Sequence, residues 1–112
     1  MKAQSSKQKG RSLQKLVAEK IRKAFNLSER DCKSTPMGVS GPDVQLSDKA
    51  AEKFPHEIEC KNVERLNLWS SWDQAVVNSG ELIPVLVVKK NRREPLAVID
   101  LDYFIELTKR KT

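Results

Sequence analysis

Cysteine and histidine are scarce in this 112-residue chain, and their scarcity removes several kinds of protein at once. Two cysteines, Cys32 and Cys60, cannot build the disulfide framework of a small secreted domain, and they leave no cysteine cluster for a structural metal. The single histidine, His56, shares the inward parity of Ile58, which suits a hydrogen-bonded core or strand-end residue better than a catalytic base. Long apolar runs are also missing, so no segment is long enough to span a membrane. The stretch Met1 to Gly10 is polar and lysine-rich and lacks the apolar region of a secretory leader. A cytoplasmic location and no membrane partner are therefore expected. There are no internal repeats.

The hydrophobic content of 38% is enough for one core and leaves no room for a second domain. A formal net charge of +6 favours a polyanionic partner, although a basic balance also occurs in proteins that never touch nucleic acid. Residues 1–10 read as a flexible basic arm because nothing apolar recurs there to offset the entropy of ordering, and residues 11–112 read as the single domain. From Arg11 to Phe25, the residues Leu13, Leu16, Val17, Ile21, Ala24 and Phe25 recur at helical spacing, with Ser12 placed to cap the start. Short strands are expected over Cys32 to Thr35 and Asp43 to Leu46, separated by a glycine-containing turn from Pro36 to Gly41. Ser47 to Lys53 reads as a turn or short helical excursion, and Phe54 to Lys61 as a third strand. A helix over Leu68 to Ser79 ends at Gly80 and should bury Leu68, Trp69, Trp72, Ala75 and Val76. Pro84 to Lys89 and Pro95 to Ile99 form a hairpin about Lys90 to Glu94, and Asp100 or Asp102 caps a closing helix through Leu107. The fold class is α/β.

Two segments carry chemistry: Gly41-Pro42-Asp43, and the run His56-Glu57-Ile58-Glu59-Cys60-Lys61. Side chains alternate along a strand, so Glu57, Glu59 and Lys61 share one face while His56, Ile58 and Cys60 share the other. If Asp43 lies on a neighbouring strand, its carboxylate can pair with Glu59 to hold a hard divalent cation, and the backbone carbonyl of Cys60 can add a third oxygen. A metal ion can make a water nucleophilic at neutral pH and offset charge on a phosphoryl group. Lys61 beside it can orient that water or neutralise the transition state.

The pattern Pro42-Asp43, then Glu59-x-Lys61, is similar to the signature of the PD-(D/E)XK nuclease superfamily, which includes type II restriction enzymes and archaeal Holliday-junction resolvases. The wider context resembles its small phage-encoded, resolvase-like members: Gly10 to Gln14, Ser34 to Gly38, Phe54 to Asn62, the Trp72-x-Gln74-Ala75 helix and the final hairpin. That resemblance implies a restriction-endonuclease-like αβββαβ core with a mixed central sheet flanked by helices. It implies catalytic Asp43, Glu59 and Lys61, a Mg²⁺ cofactor for which Mn²⁺ can substitute, and cleavage of DNA, branched DNA such as a Holliday junction in particular. A homodimer follows, since symmetric cutting of two strands needs two sites about a two-fold axis; its apolar contact candidates are Leu82 to Val88 and Tyr103-Phe104. For a phage-encoded protein the compartment would be the host cytoplasm. The alternatives are a nicking or restriction-like nuclease on linear duplex, and a non-catalytic basic nucleic-acid-binding protein.

Accessory residues remain open between roles. Gln14 occupies the place where archaeal resolvases usually carry a glutamate, and an amide is a poor Mg²⁺ ligand, so it either meets substrate or metal-bound water or is structural. Glu57, on the Glu59 face, is either an additional metal ligand or support for the ligands, or simply exposed, and Gln74 resembles a glutamine of the family but lies nearly opposite the Trp72 stripe. Glu19 should pair with Lys15 and Arg22 on the helix surface. Trp69 and Trp72 read as core, with base stacking as the competing role. Arg11, Lys15, Lys33, Lys90, Arg92 and Arg93 are the candidate phosphate contacts, the last three within the densest basic cluster of the chain.

Overall fold

A computed structural model describes residues 5–110. Helix α1 (Ser6–Phe25) begins earlier than its apolar periodicity alone predicts. Ser5 accepts from the Gln8 backbone N–H while the Gln8 side chain accepts from the Ser5 N–H, a capping box that starts the helix five residues before Arg11. Ser12 is therefore inside the helix and caps nothing. The expected flexible arm loses Ser6 to Gly10 to this helix, and residues 1–4 lie outside the described region. Asn26 closes α1 in the left-handed conformation, its N–H donating to the Arg22 carbonyl. Leu13, Val17, Ala18 and Ile21 are buried along one side of α1, whereas Ala24 is exposed.

Strands β1 (Cys32–Ser34) and β2 (Val44–Leu46) form a two-stranded antiparallel ribbon. Helix α2 (Asp48–Lys53), capped by Ser47, leads into β3 (His56–Asn62). Helix α3 (Leu68–Asn78) then crosses to β4 (Ile83–Lys89), which lies parallel to β3, and the hairpin partner β5 (Leu96–Val98) runs antiparallel to β4. Helix α4 (Leu101–Lys109) is capped by Asp100, whose side chain accepts from the Tyr103 N–H. The element order follows the expected sequence of helices and strands. A mixed sheet is present, but it contains only β3, β4 and β5, and the β1–β2 ribbon is separate from it. The single central sheet expected of an αβββαβ core is thus divided: β2 is three residues long, and it is the Asp43 side chain that meets the β3 backbone.

Register explains the two layers. Ile58 pairs with Val85 and Cys60 with Val87, and these four join Leu13, Val17 and Ile21 in the main core, so α1 covers that face. Glu59 pairs with Leu86 on the opposite face, which α3 covers. Ser71 and Ala75 are the buried residues of α3, and such small side chains let the helix lie close over Leu86, which is fully buried. The expected stripe holds in part: Ala75 is buried and Trp72 half-buried, but Trp69 is 75% exposed and Leu68 and Val76 are exposed. Gly80, at φ +58°, makes the left-handed turn that ends the helix region. Cys32 and Cys60 are both buried and unbridged. No helix among the described residues is long and apolar enough to cross a membrane.

Candidate active site

β3 turns its odd-numbered backbone groups toward β4, as the flanking bonds show: Ile83 N–H donates to the Pro55 carbonyl and Val63 N–H donates to the Lys89 carbonyl. The N–H and C=O of one strand residue point to the same edge, so Cys60 presents both of its groups to the edge away from β4. There the Asp43 carboxylate accepts from the Cys60 N–H at 2.7 Å. The free carbonyl of Cys60 faces the same edge. On the α3 face of the strand stand Glu57, Glu59 and Lys61, and Lys61 Nζ lies 3.8 Å from Glu59 Oε1. The three residues expected to act together are therefore joined: Asp43 through the Cys60 backbone, Glu59 and Lys61 through their ion pair.

Asp43 is held by a residue the sequence pattern did not single out. The Thr35 N–H donates to the Asp43 carbonyl at 3.0 Å, and the buried Thr35 hydroxyl donates to the Pro42 carbonyl. Gly41, at φ +137°, supplies the backbone conformation that brings Pro42-Asp43 back against β1. Asn62 is a second such residue, its side-chain amide donating to the Lys9 carbonyl at 3.0 Å and tying the first turns of α1 to the end of β3. No periodicity marks either, because both act through hydrogen bonds to backbone carbonyls outside their own strands: Thr35 through two and Asn62 through one.

The carboxylates crowd one another. Burial raises the pKa of Asp43, against the lowering effects of the Cys60 N–H and Lys61. Glu59 is raised by burial and then by Asp43, with Lys61 opposing, and Glu57 is raised by burial, Glu59 and Asp43. Burial, followed by the same two carboxylates, pushes the Cys60 thiol up, so its sulfur stays protonated and inert. Removing like charges from water in this way is costly unless a cation neutralises them.

Beside Asp43 lies an open groove of about 690 Å³, walled by Lys7, Arg11 and Gln14 of α1 and by the Pro36 to Gly41 turn. Gln14 is half-buried and lines the groove with Arg11 and Asp43, whereas Glu57, Glu59 and Lys61 do not line it. Lys15 borders an adjoining hollow that shares Arg11 and Met37. Lys90, Arg92 and Arg93 occupy the β4–β5 turn; because Asn62 pairs with Lys89, that turn stands at the same end of the sheet as Lys61. Lys33 is exposed on β1 and Gln74 on α3, and neither lines the groove beside Asp43. Glu19 pairs with Lys23 at 3.2 Å, not with Lys15 or Arg22. Arg22 is engaged elsewhere, its guanidinium donating to the Cys32 carbonyl.

Comparison with protein-family models, curated proteins and solved structures finds no match for this chain. The site must speak through its donors. Among the described residues no three or more acidic, histidine or cysteine side chains converge as a metal-binding group. Asp43 and Glu59 repel each other electrostatically, and the Cys60 carbonyl faces the strand edge at which Asp43 sits; all three offer hard oxygen donors. That set fits Mg²⁺, which completes its shell with water, better than a softer metal.

Proposed function

We propose that this chain is a Mg²⁺-dependent DNA endonuclease of the PD-(D/E)XK kind, acting on branched DNA as a homodimer. The observation that carries the reading is the convergence of Asp43 on the Glu59-Cys60-Lys61 segment through the Cys60 N–H, at one end of a mixed sheet. Asp43, Glu59 and the Cys60 carbonyl would hold the ion, which when bound supplies a nucleophilic water and charge relief on the phosphoryl oxygens. The chain's own residues do the rest. Asp43 is fixed from both sides, by Thr35 on its carbonyl and by Cys60 on its carboxylate, so its second oxygen is free to bind. Lys61, partly exposed beside Glu59, supplies positive charge where negative charge develops on the scissile phosphate. Arg11 across the groove and the Lys90, Arg92 and Arg93 turn offer phosphate contacts on either side of that point, which suits a duplex lying across the end of the sheet.

Glu57, on the same face as Glu59, adds negative potential that favours cation entry. A module that only bound nucleic acid would gain nothing from crowded carboxylates that repel phosphate. The test is cleavage in Mg²⁺ of a labelled four-way junction, a linear duplex and a single strand, with Asp43→Asn as the matched control. Paired symmetric cuts near the branch, absent in the variant, support the reading. Equal cutting of linear duplex turns it toward a restriction-like nuclease, and binding without cutting in Mg²⁺ or Mn²⁺ toward a non-catalytic binder.

A further inference from the structure

We infer that the groove beside Asp43 is the seat of an unpaired DNA strand, whose phosphates run along the first turns of α1 and whose bases rest against Met37. The inference deepens the proposed function, on which it rests for DNA as the partner, by naming the part of a branched substrate that this chain holds. Lys7, Arg11 and Lys15 follow one another at four-residue steps on α1, about 6 Å apart along the axis, close to the separation of successive phosphates on an extended strand. Lys7 and Arg11 line the groove, and Lys15 lines the hollow that adjoins it. All three are exposed, and none pairs with an acidic side chain among the described residues. No acidic residue precedes Glu19 in the chain, and Glu19 is taken by Lys23. The row therefore offers uncompensated positive charge to a polyanion.

Two further features select a single strand. Gly10 lines the groove between Lys7 and Arg11. Glycine inside a helix is destabilising relative to alanine, yet packing does not demand one here, since a Cβ at Gly10 would meet no atom within 4 Å. The missing side chain leaves bare helix backbone in the groove, where the backbone of a strand can approach closely. The other wall supplies the second feature. Val39 N–H donates to the Pro36 carbonyl at 3.2 Å and Gly38 sits at φ +82°, a turn that sets Met37 near its tip. Met37 and Val39 are 55% and 54% exposed, apolar side chains that folding leaves in water. Met37 and Arg11 each border both the groove and the adjoining hollow, which puts an apolar side chain beside the middle cation of the row. Cations on one wall and apolar side chains on the other fit a strand whose phosphates turn one way and whose bases turn the other, and methionine is among the side chains that proteins set against unstacked bases. A duplex keeps its bases stacked and paired, and at about 690 Å³ the groove has the size of a small-ligand site, too small to admit one. Asp43 lines the same groove, so a strand seated there passes the candidate metal ligand.

Fluorescence anisotropy of the full chain with labelled DNA, in a chelator so that no cutting enters, tests this. A duplex ending in two splayed, unpaired arms should bind at least roughly tenfold more tightly than a fully paired duplex of equal length. Gly10→Leu should remove most of that preference, change affinity for the paired duplex by less than roughly twofold and leave the melting temperature no lower, since leucine is the better helix former. Met37→Ser should weaken binding to the splayed arms and Met37→Leu should restore it; Met37 is exposed on a turn, so these variants serve if Gly10→Leu does not fold. Lys7→Ala should lower the salt slope of splayed-arm binding by about 0.7. Equal affinity for the two DNAs, a folded Gly10→Leu that keeps the preference, or poly-glutamate of matched charge displacing the DNA as readily as an unlabelled single strand would overturn the inference. A chain that never cuts DNA can pass this test and one that cuts can fail it, so this inference and the proposed chemistry stand or fall separately.

Discussion

Asp43 is half-buried, and the proposed role asks it to carry a charge and to offer a ligand oxygen at once. Its pKa is raised by burial, as are those of Glu57 and Glu59, each also repelled by neighbouring carboxylates. Folded pKa values above the unfolded 3.8 and 4.5 mean that the folded state holds the extra protons, so these groups favour folding below those values. That contribution is lost as pH rises through the folded values, and at neutral pH the cluster is destabilising. Glu57→Gln should therefore raise the melting temperature at pH 7 without metal and leave it nearly unchanged at pH 4. Mg²⁺ should raise the wild-type melting temperature at pH 7, by an amount equivalent to about 2.7 kcal/mol at a hundredfold excess over its dissociation constant, and should not do so in Asp43→Asn. Thr35 belongs at this scale too. Replacing its hydroxyl in Thr35→Val should weaken both cleavage and the Mg²⁺-induced shift with Asp43 intact, while Thr35→Ser restores them; equal loss in both variants would make Thr35 merely structural.

Elements were legible where a pattern is local. The alternation of β3, the hairpin of β4 and β5, the Asp100 cap of α4 and the Gly80 stop after α3 all follow from residues a few positions apart. The candidate site was legible for the same reason, since Glu59 and Lys61 share a strand face by parity alone. Its assembly was not: the Cys60 N–H bond to Asp43, the Thr35 clamp and the Asn62 tie join residues far apart in sequence. The start of α1 was missed because the capping box, not the apolar stripe, sets it. The burial of α3 was misjudged in part because hydrophobicity points to Trp69, whereas close packing on Leu86 selects Ser71 along with Ala75. Leu86→Ala, a cavity under that helix, should cost about 2–5 kcal/mol by chemical denaturation. Trp69 is exposed on the same helix, so a comparable cost for Trp69→Ala would contradict the packing described.

Across the whole molecule, most of the candidate site residues gather toward one end of the sheet. Lys61, the groove with Arg11 and Gln14, and the basic β4–β5 turn lie toward the carboxyl end of the parallel pair β3 and β4, where ligand sites of open α/β sheets form, with Glu59 mid-strand and Glu57 nearer the other end. The measurement to make first follows binding and cleavage of one labelled four-way junction in parallel, for wild type, Asp43→Asn and Lys61→Ala. Cleavage should vanish in Asp43→Asn and fall by roughly a hundredfold or more in Lys61→Ala, while both variants bind the junction as wild type does. A wild type that binds without cutting, or folded variants that lose binding in step with cleavage, would contradict the roles given to Asp43 and Lys61.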